Sequence, residues 1–469
     1  MAPDMDATAT LTRGDRGFTE GLASAALLYV VLRCDAPQAG ASRHDLRELD
    51  EVRLGRGKSF AAERLVEGTR RVLALRLPDR SVSTDHARIT LGDGGHRLTD
   101  RGSKNGSVVD GRAADDVTLR DGAIVELGET VLVYRNPVSV GPEVLGDLST
   151  SDMEGPAGLV TVVPRLQRLF DGVRKIAASS ETVLLQGESG TGKEVVAQSI
   201  HELSGRQGRF VAINCGALPD TLIEGQLFGY VKGAFSGADD DRDGLVQAAH
   251  GGTLFLDEIG ELSPRAQAAL LRVLQEKEVL RVGATSSTSV DLRLVVASLR
   301  DLERMVDEGR FRDDLFGRVA GMKVGLPPLR ERREDLGLLA GRLLARQTDE
   351  PVRLTVRAAR ALFRHPWPRN IRELDKALGT ARVLADGEPI GREHLPEELR
   401  TRRPPRATVP VQDLSEEDRK LRDELVTLLR EHEGNVTRVA EAMGKKRQQI
   451  QKWCRRLGID AATFRSSHS

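Results

Sequence analysis

Residues 187–193, GESGTGK, have the glycine and lysine spacing of a phosphate-binding loop. Three glycines let the backbone curve around a polyphosphate with its N–H groups pointing inward, and Lys193 adds a positive charge for the β- and γ-phosphates. The apolar run 182–185 precedes the loop as a buried strand would, and 195–200 continues it as a helix whose positive end faces the anion. The predicted nucleotide-binding residues of this segment are Gly187, Glu188, Ser189, Gly190, Thr191, Gly192, Lys193 and Glu194.

A second segment, 251–256, is a mostly apolar strand that ends in two carboxylates, Asp257 and Glu258. Asp257 can hold Mg²⁺ at the end of the strand, and Glu258 can polarise the water that attacks the γ-phosphate. Glu194 stands where a serine or threonine usually follows the loop lysine, so the Mg²⁺ ligand must come mainly from elsewhere. The two segments predict ATP and Mg²⁺ as cofactors.

The elements around these residues alternate between strands and helices from residue 159 onward. Apolar segments at 210–215 and 294–298 are typical of buried strands, and 264–278 places apolar residues at helical spacing. This alternation predicts an α/β nucleotide-binding domain.

Composition limits the remaining possibilities. The 469 residues have room for about three domains, and Lys plus Arg balance Asp plus Glu at 70 each. A neutral chain has no overall attraction to nucleic acid, so only a local basic cluster could bind it. Cys34, Cys215 and Cys454 lack metal-ligand spacing, and the longest apolar run, 22–32, is too short to span a bilayer. We therefore expect a reduced, cytoplasmic protein with no membrane partner.

Short apolar segments separated by glycine-rich turns fill the first third of the chain, which predicts an all-β sandwich. Three of its loops are more specific: 55–57 (GRG), 83–86 (STDH) and 100–106 (DRGSKNG). In that order and spacing they resemble the forkhead-associated (FHA) domain, which implies a reader of phosphothreonine peptides. The apolar segments lie at 27–32, 52–54, 72–77, 88–91, 108–109, 124–127 and 131–134. The predicted phosphopeptide residues are Arg56, Ser83, Thr84, Lys104 and Asn105.

The chemistry of these loops fits that resemblance. Arg56 can pair with phosphate oxygens, Ser83 can donate a hydrogen bond, and Asn105 can fix the peptide backbone. His86 would brace the loop without touching the ligand. The alternative is that these loops only shape turns and that Arg56 is a solvated surface charge.

Six motifs between residues 187 and 374 resemble the central AAA+ domain of bacterial enhancer-binding proteins, the activators of sigma-54 RNA polymerase. They are GESGTGKE (187–194), GAFSGA (233–238), GGTLFLDEIGEL (251–262), FRDDLFGRV (311–319), LPPLRER (326–332) and WPRNIREL (367–374). The resemblance covers about residues 158–398, including a helical lid. It implies an ATPase that assembles as a ring, a hexamer in this family, and remodels the closed promoter complex.

The 233–238 motif is the most distinctive of the six. Small residues on both sides of one aromatic and one hydroxyl make a loop with a sticky tip, which ATP hydrolysis does not need. By resemblance this loop contacts the sigma factor, with Ser236 in place of the usual threonine. The alternative is that Phe235 is a core residue in a glycine-rich turn. The predicted sigma-factor contacts are Gly233, Ala234, Phe235, Ser236, Gly237 and Ala238.

Other roles follow from the same resemblance. Arg312 and Arg318 are candidates for the arginine finger that the adjacent subunit supplies, with surface pairing to 313–314 as the alternative. Asn214 matches the asparagine that pairs with the catalytic glutamate, here Glu258. The predicted catalytic residues are therefore Lys193, Asn214, Asp257, Glu258, Arg312 and Arg318. Ser298 and Arg372 join Asp257 in the predicted nucleotide-binding set.

Besides Ser236, the chain departs from the family at further positions, among them Gln226 in place of a glutamate. Leu299 stands where a polar sensor asparagine is usual, and leucine cannot hydrogen-bond a phosphate or a water. Tyr230 replaces a histidine, and Arg369 replaces a glycine. We expect altered or slower nucleotide sensing, but Lys193 and the carboxylates remain, so hydrolysis is still predicted.

Residues 413–469 predict an all-α DNA-binding module. Helices are expected at 415–431, 436–443 and 445–457, and the last two resemble a Fis-type helix-turn-helix. Between Gly444 and Gly458 there are six Lys or Arg and no Asp or Glu, a local basic footprint for double-stranded DNA. A solvated basic helix is the alternative. The predicted DNA contacts are Lys445, Lys446, Arg447, Gln448, Gln449, Lys452 and Arg455.

The sequence thus predicts a multidomain activator that binds enhancer DNA, hydrolyses ATP to remodel sigma-54 RNA polymerase, and responds to a phosphothreonine protein or kinase. Its homo-oligomer is expected to range from dimer to hexamer ring. Two alternatives stay open: an AAA+ remodeller of a different client, and a DNA-bound phosphopeptide-reading scaffold with an impaired ATPase. The predicted boundaries are 1–25 (tail), 26–140 (FHA-like), 141–157 (linker), 158–398 (AAA+), 399–412 (linker) and 413–469 (helix-turn-helix).

Overall fold

The computed structural model describes residues 23–92, 94–140, 146–153, 155–217, 219–235, 238–401, 416–432, 435–445, 449–450 and 453. The chain divides into two compact units between Arg400 and Thr401. The first unit contains a β-sandwich, an α/β domain and a helical lid, and the second is helical. Within the described residues, every helix is too short or too polar to cross a membrane.

The sandwich packs a seven-stranded sheet on a six-stranded sheet. Its strands are β1 (Ala23–Arg33), β2 (Ser42–Asp45), β3 (Glu51–Arg56), β4 (Ala61–Glu67), β5 (Arg70–Leu77), β6 (Ala87–Thr90), β7 (Arg97–Asp100), β8 (Ser107–Val109), β9 (Arg112–Ala113), β10 (Asp116–Thr118), β11 (Ile124–Leu127), β12 (Thr130–Val140) and β13 (Leu148–Ser149). The sheets run β13-β2-β1-β12-β11-β8-β9 and β10-β7-β6-β3-β5-β4. Every predicted apolar segment overlaps a strand, so the predicted all-β sandwich is confirmed.

The segment predicted as a linker, 141–157, is attached to the sandwich over its described part. Its strand β13 pairs with β2. The Ala41 N–H donates to the Thr150 hydroxyl at 2.9 Å, and the Thr150 N–H donates to the Ala41 carbonyl at 2.9 Å. The segment therefore differs from a free linker. Without it, β2 would be an edge strand with unpaired N–H and C=O groups, and β13 supplies partners for these groups.

The α/β domain is built on a five-stranded parallel sheet. Its strands are β14 (Val183–Gln186), β15 (Phe210–Asn214), β18 (Thr253–Asp257), β21 (Arg293–Ser298) and β22 (Met322–Gly325), in the order β15-β18-β21-β14-β22. Two small hairpins are added by β16 (Gly229–Tyr230), β17 (Arg242–Asp243), β19 (Glu278–Leu280) and β20 (Ser287–Ser289). The helices are α1 (Pro164–Ala177), α2 (Lys193–Leu203), α3 (Asp220–Phe228), α4 (Leu245–Ala248), α5 (Pro264–Glu276), α6 (Leu302–Asp307) and α7 (Asp313–Val319). The predicted α/β nucleotide-binding architecture is confirmed.

The lid, residues 333–398, is helical. It contains α8 (Leu336–Gln347), α9 (Val356–Arg364), α10 (Asn370–Ala385) and the start of α11 (Glu397–Thr401). In the second unit, α12 (Glu416–Glu431) and α13 (Val436–Ala442) enclose a small apolar cluster. The Asn435 side chain caps α13 as predicted, accepting from the Thr437 and Arg438 N–H groups. The predicted third helix lies mostly outside the described residues.

The lid packs directly on the sandwich, against β1. Leu28 and Val30 face the interior between the two sheets, while Tyr29 and Val31 belong to the apolar cluster shared with the lid. A strand with both faces covered is expected to be continuously apolar, which explains the uninterrupted LLYVVL sequence. At Gly337, a Cβ atom would lie 1.8 Å from the Val31 carbonyl oxygen, so helix and strand backbones touch.

We predict that Gly337→Ala lowers the free energy of unfolding by about 1–3 kcal/mol, because a methyl group there must push the lid off β1. Gly379→Ala is the matched control in α10, where a Cβ atom meets only the flexible Gln347 side chain. That variant should be neutral or stabilising, since alanine is the better helix former. The measurement is the urea midpoint of unfolding of the two full-length variants. Equal midpoints would contradict the prediction.

Candidate nucleotide and phosphopeptide sites

The carboxyl ends of the parallel strands bring the predicted catalytic residues to one edge of the sheet. Asn214 at the end of β15 is directly opposite Asp257 at the end of β18. Gln186, the last residue before the phosphate-binding loop, is opposite Ser298 at the end of β21. Glu258 follows Asp257 in the chain. The strand register alone therefore places both carboxylates and Asn214 beside each other near the loop.

The loop itself has the conformation that its glycines predict. Gly190 and Gly192 have φ values of +77° and +100°, in the left-handed region that favours glycine. Lys193 starts α2 and is only 8% exposed; its Nζ donates to the carbonyls of Gly187 at 2.9 Å and Glu188 at 3.1 Å. Burial lowers the pKa of this ammonium, against the opposing influence of the nearby carboxylates. When a nucleotide binds, the Lys193 ammonium can exchange these two carbonyls for phosphate oxygens.

The predicted catalytic carboxylate occupies an uncommon backbone conformation. Glu258 has φ +56° and ψ +46°, and its N–H donates to Asp257 Oδ1 at 3.0 Å. Left-handed non-glycine residues are uncommon, and strained backbone conformations tend to cluster at functional sites. A Cβ atom on Gly216 would lie 2.5 Å from Glu258 Oε2 and 3.4 Å from Asn214 Oδ1. The Asn214 and Glu258 side chains therefore approach the same point, and Asn214 Oδ1 accepts from the Gly216 N–H at 2.9 Å.

Three successive carbonyl groups of the loop, 189–191, are bonded by donors on the lid side. Asn370 Nδ2 donates to the carbonyl of residue 189 at 3.0 Å, and the Ile371 N–H donates to that of residue 190 at 2.9 Å. Arg332 Nη2, which is buried, donates to the carbonyl of residue 191 at 2.6 Å. Donors outside the loop fix its carbonyls outward, which leaves the loop N–H groups directed at the anion.

Glu188 forms a second connection between loop and lid. Arg330 donates to both of its carboxylate oxygens, at 2.6 and 2.9 Å, and this pairing lowers the pKa of Glu188. Asn370 Nδ2 also donates to Glu188 Oε2 at 3.1 Å, while its Oδ1 accepts from the Leu329 N–H at 2.8 Å. Sequence reasoning missed Asn370 and Arg330 as functional residues. Their motifs, WPRNIREL and LPPLRER, were the available signal.

The remaining predicted nucleotide residues are distributed as follows. Arg372 Nη1 donates to Ser189 Oγ at 3.1 Å, so the predicted lid arginine does reach the loop. The Ser298 hydroxyl is buried and committed to the Arg300 backbone, and the neighbouring Leu299 is 54% exposed. Thr191 is buried with its hydroxyl on the Glu188 carbonyl, and Glu194 is exposed on the first turn of α2.

The two finger candidates differ in their local partners. Arg312 forms a two-pronged ion pair with Asp314, at 2.7 and 3.0 Å, which is the surface pairing considered as its alternative. Arg318, in the last turn of α7, is exposed. Across the described residues, no carboxylate lies within salt-bridge distance of Arg318. Of these two candidates, Arg318 is therefore the one whose guanidinium has no ion pair among the described residues and can meet a neighbouring molecule.

The residues present fit a nucleotide with Mg²⁺. The loop is a concave set of backbone N–H groups backed by Lys193, and Asp257 supplies the hard oxygen ligand that Mg²⁺ prefers. No described group of three or more His, Cys, Asp or Glu side chains could by itself hold a metal ion. Phosphate oxygens and water would therefore have to complete the coordination of Mg²⁺ at Asp257.

At the FHA-like end, the predicted phosphopeptide residues converge. The Arg56 N–H donates to the Ser83 carbonyl at 2.9 Å, and the Lys104 N–H donates to the Ser83 hydroxyl at 3.1 Å. Asn105 Nδ2 donates to the Ser81 carbonyl at 2.7 Å. The side chains of Arg56, Lys104 and Asn105 are exposed. The backbones of Arg56 and Lys104 thus meet at Ser83, and both residues carry exposed cationic side chains, which suits a phosphate on a peptide.

The histidine of these loops braces them from inside. His86 is fully buried, and its Nδ1 accepts from the Ser83 N–H at 3.0 Å. Its Nε2 therefore carries the proton and donates to the Gly106 carbonyl at 3.3 Å. Thr84 is exposed, and its carbonyl lies only 2.1 Å from where a Gly55 Cβ would be. Glycine at position 55 is thus required by the close approach of the 83–86 loop.

The 233–238 loop is described except for Ser236 and Gly237. Phe235 is 42% exposed, and its ring packs edge-on against Tyr230 with centroids 4.9 Å apart. Backbone hydrogen bonds from Gly233 to Ala238 and from Ala238 to Phe235 close the loop. Phe235 is therefore at the protein surface and not in the core.

Among the predicted DNA contacts, Lys445 and Gln449 are exposed. Lys446, Arg447, Gln448, Lys452 and Arg455 lie outside the described residues.

Comparison with known proteins agrees with this geometry. Residues 159–325 match the sigma-54 interaction domain, 330–411 match the AAA+ ATPase lid domain, and 43–128 match the FHA domain. The fold and the loop therefore define an AAA+ nucleotide-binding domain with its lid, preceded by an FHA domain.

The similar proteins are bacterial regulators. The Nif-specific regulatory protein of Azotobacter vinelandii is 49% identical over 234 residues, 49% of this chain and 45% of that protein. Transcriptional regulatory protein ZraR of Escherichia coli K12 is 41% identical over 331 residues, 68% of this chain and 74% of ZraR. The ADP complex of NtrX from Brucella abortus is 29% identical, with a TM-score of 0.48, over 64% of this chain and 70% of NtrX. The chain belongs to the sigma-54-dependent transcriptional activators.

We predict that Asn370→Gly weakens ATP binding about tenfold, because the loss of one buried hydrogen-bonding group costs about 1–3 kcal/mol. Glycine tolerates the left-handed φ of +55° at this position, so the variant removes the side chain without adding backbone strain. The measurement is the dissociation constant for a fluorescent ATP analogue. Asn370→Ala keeps the strain and serves as the comparison: both variants should lose affinity, and unchanged binding in Asn370→Gly would contradict the prediction.

Proposed function

We propose that this protein hydrolyses ATP in order to remodel sigma-54 RNA polymerase at promoters. The observation that carries the proposal is the convergence of Lys193, Asp257 and Glu258 at one sheet edge, on a chain that also presents Phe235 at its surface. Lys193 leaves the loop carbonyls to neutralise the β- and γ-phosphates. Glu258 accepts a proton from the attacking water, held in place by its own left-handed backbone and by the neighbouring Asn214.

Mg²⁺, when bound at Asp257, neutralises charge on the phosphates. The γ-phosphate still needs a cation on its far side as negative charge develops there. Arg318 is the better placed of the two finger candidates, since Arg312 is paired within its own subunit. An arginine that serves a neighbour requires a head-to-tail assembly that closes into a ring. We therefore propose a homo-oligomer, with the hexamer that the family implies.

The 233–238 loop is proposed to deliver the energy of hydrolysis to the sigma factor. Its aromatic tip is exposed and its base is closed by backbone hydrogen bonds, so it can move as a unit about Gly233, which has φ +81°. Phe235 rests on Tyr230, which follows α3, and a Cβ atom on Gly225 of α3 would lie 3.4 Å from the Tyr230 ring. When the loop moves, Phe235 loses its contact with the Tyr230 ring, and a hydrophobic contact with a partner can replace it.

Two variants tested in parallel separate hydrolysis from coupling. Glu258→Gln should reduce ATP turnover about 100-fold or more through loss of the general base, and with it ATP-dependent transcription from a sigma-54 promoter. Phe235→Ala should retain turnover and lose the transcription. If Phe235→Ala still activates, the 233–238 loop does not couple hydrolysis to the sigma factor. If the parent protein hydrolyses ATP and does not activate the sigma-54 promoter, the client is a different one. If Glu258→Gln activates as well as the parent, the alternative of a DNA-bound scaffold that needs no ATPase is correct.

The FHA domain is proposed to bind a phosphothreonine peptide from a protein partner or a kinase. Arg56 and Lys104 supply the positive charge, and the Ser83 hydroxyl and the Asn105 amide supply directional hydrogen bonds. Phosphate has about two negative charges at neutral pH, so paired cations at an exposed loop are its natural receptor.

Arg56→Ala should abolish binding of a phosphothreonine peptide pool while leaving the urea midpoint unchanged, because Arg56 is exposed and only its backbone N–H takes part in the fold. Arg80→Ala, an exposed arginine near the same loops, is the matched control and should retain binding. The unphosphorylated pool should not bind either protein. Equal binding of both pools, or full binding by Arg56→Ala, would remove this part of the proposal.

The C-terminal unit is proposed to bind enhancer DNA in the cytoplasm as a Fis-type helix-turn-helix. Support comes from α12, α13 and the left-handed Gly444, with φ +62°, at the end of α13. Lys445 and Gln449 are exposed on the far side of that turn. A basic segment after a tight turn is the usual form of a recognition helix, with lysine on phosphates and glutamine on adenine edges.

A further inference from the structure

The sandwich and the lid share one apolar core. Leu27, Tyr29 and Val31 on the outer face of β1 pack in the same cluster as Leu336, Leu343 and Phe363 of the lid, and each is under 9% exposed. A reading domain on a flexible tether would cover that sheet face with polar residues. Because this face is apolar and buried, separating the two bodies would expose the hydrophobic surface of both.

The backbones of the two bodies touch at several points. A Cβ atom on Gly341 of α8 would lie 2.1 Å from the Pro37 carbonyl, as Gly337 does against β1. The Leu354 N–H, just before α9, donates to the Cys34 carbonyl at 2.8 Å. Such contacts have no flexible side chain to absorb a displacement, so a movement of the lid is passed to the sandwich.

Polar contacts at the edge of this interface join α9 to strand β11 and to the 110–111 turn of the sandwich. Arg360 donates two hydrogen bonds, at 2.7 and 2.5 Å, to the carboxylate of Glu126, which is 3% exposed. One turn further along α9, Arg364 Nη2 donates to the Asp110 carbonyl at 2.8 Å. A Cβ atom on Gly111 would lie 2.0 Å from that nitrogen. The turn at 110–111 is therefore seated on the α9 surface.

The same turn is connected to the phosphopeptide site by a single short strand. Asn105 and Gly106 immediately precede β8, whose three residues end at Val109. At about 3.3 Å per residue the strand is roughly 10 Å long. Gly106 is itself fixed by His86, which also holds the Ser83 N–H. A peptide that reorders the 100–106 loop therefore acts on a rigid strand with the lid at its other end.

From the same C-terminal end, α9 leads to the nucleotide loop. The chain from Arg364 to Asn370 is packed, with Trp367 1% exposed and its indole nitrogen donating to the Leu362 carbonyl at 3.0 Å. Asn370 then bonds Glu188 and the carbonyl of Ser189. The described contacts thus run without interruption from the phosphopeptide loops to the phosphate-binding loop.

We propose that phosphopeptide binding and nucleotide binding in one subunit change each other's affinity through the contact of Arg360 with Glu126 and the seat of the 110–111 turn on α9. This rests on the proposed phosphopeptide function and specifies its regulation: the signal reaches the nucleotide loop within the chain, through the lid. Thermodynamic linkage requires the factor to be the same in both directions. A contiguous set of contacts is the physical basis, and the coupling itself must be measured.

The first measurement is that factor. With the full-length protein, a phosphothreonine peptide pool at saturation should change the dissociation constants of ADP and of AMP-PNP, and at least one of them by about fivefold or more. Each nucleotide should change the apparent affinity for the pool by the matching factor. Glu126→Gln combined with Arg360→Gln removes the pair without leaving a buried charge alone. This double variant should bind both ligands and lose the coupling.

The matched control is Arg97→Gln combined with Asp116→Asn. It breaks an equally close, two-pronged ion pair on the sheet of the sandwich that does not face the lid. The control should keep the full coupling factor. Coupling that survives in Glu126→Gln/Arg360→Gln, or that disappears equally in the control, overturns the proposal.

A second measurement does not use the peptide. Hydrogen exchange of residues 107–113 and 354–364 should slow when ADP saturates the parent protein, and not in Glu126→Gln/Arg360→Gln. If the peptide pool binds and neither measurement shows coupling, the phosphopeptide function stands and this proposal fails. If the pool does not bind but exchange slows, the link through the lid is supported and the phosphopeptide function fails. If there is neither binding nor a change in exchange, both fail.

Discussion

The phosphate-binding loop can bind an anion only if its backbone N–H groups point inward, and this requires partners for the carbonyls on its outer side. In this protein those partners come from Arg332 and from the start of α10. A buried peptide carbonyl without a partner is costly, so loop and lid stabilise each other's conformation. The lid is therefore close to the nucleotide site and also helps to fix the conformation of its loop.

The same lid is covered on its other side by the FHA domain. One body of helices thus has two neighbours. Close backbone contacts and apolar packing hold the sandwich, and hydrogen bonds from side chains and backbone hold the nucleotide loop. In the α/β domain, the five parallel strands provide the fixed frame, with Asn214 and Asp257 set by strand register. The parts that we propose to respond to ligands, namely the lid, the nucleotide loop and the 233–238 loop, are connected to that frame through glycines and hydrogen bonds.

The sequence was sufficient for the chemistry that is encoded locally. The GESGTGK loop, the strand ending in Asp257 and Glu258, and the His86 brace are local motifs whose residues dictate their own backbone. The sandwich followed from its apolar segments. Contacts between distant segments were not predictable: Asn370 and Arg330 acquire their role only because the lid folds onto the loop. The role of β13 was hidden by its linker-like composition. The continuous apolar run of β1 did carry a signal for burial on both faces, but it does not identify the element that covers the outer face.

A domain whose whole surface is polar can be exchanged between proteins by recombination. The doubly covered strand β1 argues against such exchange here. A transplanted FHA domain would bring an apolar outer face that its new host could not cover, and the lid left behind would lose its own cover. A substitution on the outer face of β1 therefore changes the surface on which α8 packs, and a change of shape in either element calls for a matching change in the other.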